Sequence, residues 1–301
     1  MRQTYGTTRR GYSLIELLAT IAIIAVLIGL TGAVAFRLLG SSATGNTRTL
    51  LQRLEERIRQ QMTYKADRAR EEQIPAGSPI LTLAGGNPDL ARVILIKLRM
   101  KAHFPMTFRE ALAPAPGYGI QPVTAYRVYL QERGITLATL GPTPAPHESA
   151  ACLYMALNHG VETATERDVA FAGSTKEING VTCYVDAWGS PVVFCRHPVG
   201  DAPNGGRSII YPPGAPHGFE DPVDPKGLLF SPSLTNPATF ATLVHPLQPR
   251  TPTTNARPVL SPVVVSIGPD KKMGFDPLTL ALLPGPAARD ADDTVLTERF
   301  K

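Results

Sequence analysis

Hydrophobic and polar positions divide this chain sharply. From Leu17 to Phe36 twenty residues carry no formal charge, and at ~1.5 Å per residue that run equals one ~30 Å hydrocarbon core. Glu16 is the only charged side chain between Tyr12 and Phe36. A lone carboxylate there costs roughly 2.5–3.5 kcal/mol in a bilayer, so it calls for a partner and a function. A Gly-containing stretch, Gly40 to Gly45, follows. Beyond it Leu51, Leu54, Ile58 and Met62 recur at three- and four-residue spacing, the stripe of a helix that packs on a domain. The pattern predicts a long N-terminal helix over 12–72, transmembrane at about 14–36, with Glu55 and Arg59 as an exposed i, i+4 pair. Each glycine costs about 1 kcal/mol in a helix interior, so a bend or local melt is expected near Gly40–Gly45.

From residue 73 the pattern breaks into short elements, predicting an α+β head over 73–301 with a small antiparallel sheet. Asn87-Pro88-Asp89 offers a cap and first-turn proline for a helix to about Lys101. Thr107 to Glu110 reads as a capping box, and His147 to Asn158 as a helix stopped at Gly160. Strands are expected at 181–186, 191–196, 207–211 and 261–267. Residues 74–180 carry no interpretable functional motif.

The N-terminal segment resembles the type IV pilin and type II secretion pseudopilin superfamily. The resemblance rests on Arg9-Arg10-Gly11, then Tyr12-Ser13-Leu14-Ile15-Glu16-Leu17-Leu18, then an apolar helix. It implies a cytoplasmic leader, residues 1–11, removed after Gly11 by a prepilin peptidase that methylates the new amine of Tyr12. It also implies that Glu16, the fifth mature residue, pairs with the amine of a neighbouring subunit in a homo- or heteropolymer. The expected location is the inner membrane, single-pass, with the N-terminus cytoplasmic and the head periplasmic or extracellular. Three other readings of the segment stay open: a secretory signal peptide, a twin-arginine signal cut near Ala35, and a plain signal anchor. None of them gives Glu16 a role.

Charge adds little. Of 30 basic residues three lie in the leader, leaving 27 against 25 acidic ones; no basic patch with interleaved aromatics indicates nucleic acid. Twenty-nine prolines, about twice ordinary usage of ~5%, point to long stiffened loops. Cys183 and Cys195 flank Gly189 symmetrically, so a cross-strand disulfide and two buried thiols are both open; Cys152 reads as helix core.

Two further phrases resemble the head of major pseudopilins. Asp186-Ala187-Trp188-Gly189-Ser190-Pro191 resembles a turn that opens the sheet. Ser266-Ile267-Gly268-Pro269-Asp270 through Asp276 resembles a calcium loop, which implies Ser266, Asp270 and Asp276 as part of a calcium shell. Lys271 and Lys272 depart from that pattern and leave a metal-free turn as the other reading. The six histidines lack metal-ligand spacing, and no nucleophile or phosphate motif is present. The chain therefore reads as a polymerising structural subunit rather than an enzyme, the alternative being a membrane-tethered enzyme or ligand-binding head that uses such an export signal.

Overall fold

The computed structural model describes residues 14–160, 171, 173–197, 221, 223–245, 262–278, 280 and 283, with backbone alone at 30–41. The fold is α+β. The chain divides into two compact units, Met1–Gly45 and Asn46–Lys301. Helix α1 spans Leu14–Glu71 and runs unbroken through Gly40 and Gly45, so the expected melt is absent.

In the second unit Leu51, Leu54 and Ile58 are buried as the stripe requires, with Met62 at its margin. Glu55 is buried too. It lies four residues after Leu51 and three before Ile58, hence on the same face. Arg59 pairs instead with Glu56, at 3.9 Å. The end of α1 is fastened by helix α3 (Pro88–His103). Arg92 of α3 donates to the carbonyls of Ala69 and Glu72, and Arg99 grips the Glu72 carboxylate through both oxygens. The two Arg92 bonds satisfy carbonyls that the end of a helix leaves open.

Local capping chemistry fixes the other helices. Asn87 Oδ1 accepts from Asp89 and Leu90 N–H at 3.0 and 3.1 Å, starting α3. Thr107 Oγ1 accepts from Glu110 N–H at 3.1 Å, starting α4 (Phe108–Leu112). The Glu110 carboxylate turns one residue further back than a capping box requires, to Met106 N–H at 2.8 Å. Helix α6 (Glu148–Asn158) ends where Gly160 N–H bonds Met155 O at 3.0 Å. Helices α2 (Pro79–Leu83), α5 (Thr124–Gln131) and α7 (Pro237–Leu243) complete the set among the described residues.

Among the described residues the strands form two small antiparallel sheets. Strand β1 (Thr175–Ile178) pairs with β2 (Val181–Tyr184), and β3 (Val193–Cys195) with β4 (Val263–Val265). Asn179 and Gly180 both adopt positive φ, 51° and 79°, which a two-residue hairpin of the primed type demands. The expected strand at 207–211 lies outside the described residues. Two hydrophobic cores result among the described residues. The larger joins α1, α5, α6 and the strands. The second joins α2 and most of α3 to Leu229, Leu234, Phe240 and Val244.

Candidate assembly site

Glu16 stands in the first turn of α1, where a carboxylate meets the positive end of the helix macrodipole. Thr20 Oγ1 donates to its main-chain carbonyl. Around and beyond it the large apolar side chains from Leu14 to Ile28 are all exposed, from 49% at Ile24 to 79% at Leu14. At 100° per residue these positions cover every side of the helix, and a helix apolar all round requires burial in something else. Among the described residues no helix is long and apolar enough to cross a membrane; the side chains of 30–41, which would complete the expected span, are not described. Gly11 and Tyr12 also lie outside the described residues.

The Asp186 turn is a junction. Its Oδ1 accepts from Trp188 and Ser190 N–H at 3.0 and 2.9 Å, and its Oδ2 accepts from Ser266 Oγ at 2.7 Å. Thr47 of α1, wholly buried, accepts from Ala187 N–H at 3.1 Å. Two phrases singled out separately in the sequence thus meet, with α1 as third party. Asp186→Ala is expected to lower stability by about 3 kcal/mol in chemical denaturation, because three donors lose their acceptor, and Ser266→Ala by about 1 kcal/mol.

The residues expected to share calcium are engaged separately. Ser266 Oγ gives its hydrogen to Asp186 and accepts from Gly268 N–H at 3.0 Å. Asp270 and Asp276 each accept from a backbone N–H two residues on, at 3.2 and 2.7 Å. Among the described residues no group of three or more His, Cys, Asp or Glu side chains is placed to hold a metal.

All three cysteines are buried and free. The turn closes with Val185 opposite Pro191, and Cys183 and Cys195 stand on strands of different sheets. Cys183 contacts His147 O and Cys195 contacts Leu278 O. Burial pushes both thiols up to about 12, and it raises Cys152 strongly. Thiols held protonated are poor nucleophiles.

Sequence reasoning missed a buried ionic cluster. Arg196, 1% exposed, grips both Glu110 oxygens at 3.1 Å and donates to Phe104 O at 2.5 Å. Lys101 stands 3.7 Å from Glu110 and donates to Leu243 O; Lys97 pairs with Asp221 at 2.6 Å. Burial tends to raise the Glu110 carboxyl, but Arg196 and Lys101 outweigh it and hold the group below its ordinary value. Burial lowers Lys97 and Lys101 against the pull of their acidic partners. Partners as much as 142 residues apart leave no local signal.

Residues 7–32 match the prokaryotic N-terminal methylation motif. The match supports prepilin-type processing and a membrane-anchored N-terminus, and it coincides with the exposed apolar stretch of α1. No curated protein and no solved structure matches the chain.

Proposed function

We propose that this chain is a pilin-like structural subunit that polymerises through the apolar half of α1, in a type II secretion pseudopilus or a related type IV pilus-like assembly. The supporting observation is the coincidence of the methylation motif with apolar side chains exposed on every side of the helix. In this reading a prepilin peptidase cuts after Gly11 in the inner membrane. The methylated amine of Tyr12 keeps its charge. Before assembly lipid covers the helix at about 14–36, with the N-terminus cytoplasmic and the head periplasmic or extracellular. In the polymer, helices of other subunits, identical or related, replace that lipid. Glu16 then receives the amine of a neighbour, which offsets the cost of burying either charge alone and sets the axial register.

Mass spectrometry of the membrane-bound mature protein is expected to find an N-methylated Tyr12 at its start. A start at Phe36 would instead establish a twin-arginine signal and a released product.

A further inference from the structure

A polar seam lies between the two cores of the second unit. On one side is the segment ending at His245, which lends Leu229, Leu234, Phe240 and Val244 to the second core. On the other are α3, α4 and the end of β3. The rings of His197 and His245 meet across it, centroids 4.6 Å apart, and His245 also stands edge-on to Phe240 at 5.2 Å. His197 is buried, and its Nε2 accepts from Arg196 Nε at 3.0 Å. That bond needs a lone pair on Nε2. A proton there would set two N–H groups against each other.

The groups around His197 oppose the same proton. Lys97 and Lys101 face it from α3, Arg196 from its own strand end and His245 from the segment beyond α7. The acids nearby are committed: Glu110 to Arg196 and Lys101, Asp221 to Lys97, and Asp224 to the N–H groups of Leu228 and Leu229 at 2.7 and 2.9 Å. Besides Lys97 and Lys101, the polar ties of the segment to its neighbours include the Thr235 bonds to Thr82 and Leu83 carbonyls.

We propose that the His197–His245 contact is an acid-sensitive latch, which holds the segment 223–245 on α3 near neutral pH and releases it on mild acidification. Burial, then His245, Arg196, Lys97 and Lys101, depress His197 well below its ordinary value. A depressed histidine contributes its full stability above the free value of ~6.5, and that contribution is lost as pH falls from there toward the depressed value. One proton taken up on opening multiplies the open population about tenfold per pH unit in that window.

The test is amide hydrogen exchange of the full chain in detergent micelles at pH 7.5 and 5.0, each rate divided by the intrinsic rate at that pH. Peptides covering 228–244 are expected to open more at pH 5.0, thirtyfold being about the ceiling for one proton taken up on opening, while peptides of α6 and β2 stay unchanged. His197→Gln keeps an acceptor for Arg196 but cannot titrate, so the rise should vanish. His245→Phe removes one opposing group and should lessen it; this variant carries the test alone should His197→Gln fail to fold. No rise in the wild type, or a wild-type rise in both variants, overturns the latch.

Discussion

Glu16→Ala is expected to insert into the membrane as well as the wild type and to fail in assembly. The change removes a carboxylate from the apolar run, which favours insertion if anything, and leaves Gly11 for the peptidase. In the polymer, however, the amine of an incoming Tyr12 would be buried without its counter-charge. Breaking one half of a buried pair costs about 3–5 kcal/mol, which corresponds to a hundredfold or greater loss of association. Shear recovery or cross-linking of assembled material, beside a membrane-fractionation control, measures this. A mutant that assembles normally would remove Glu16 from the account and favour the tethered-head reading.

The second large effect is expected at Arg196. Arg196→Met fills much of the same volume, yet it takes the bidentate partner from Glu110 and a donor from Phe104 O. The expected loss is about 3–5 kcal/mol, a fall in Tm of roughly 10 °C or more for a domain of this size. Adding Glu110→Gln should cost less than the sum of the two single changes, since the carboxylate left unpaired by the first is gone. Strict additivity in thermal denaturation would mean that the pair is not energetically coupled.

These two predictions differ in how the sequence announces them. Glu16 stands out because its whole context, basic head, aromatic residue and apolar helix, is contiguous. The caps at Asn87 and Thr107 were legible for the same reason: each acts within three residues of itself. The Asn179-Gly180 hairpin carried an equally local signal that the strand pattern alone did not pick out, since β1 is exposed and charged at Lys176 and Glu177. Arg196 and Glu110, or Asp186 and Ser266, meet across 86 and 80 residues. Nothing local marks such partners, because the intervening helices decide who is adjacent. Glu55 shows the converse failure, where charge suggested exposure and helical spacing, read strictly, placed it inside.

On the proposed reading, the helix from Leu14 to Ile28 finds its cover in other subunits. A photo-reactive residue at Ile24, in cells that express the processing and assembly system, captures whatever lies against the helix there. A ladder of cross-linked multimers is expected, with peptides that map to the N-terminal helix of this chain or of another bearing the same motif. Lipid adducts on a monomer alone, under conditions where the partner system assembles, would contradict it.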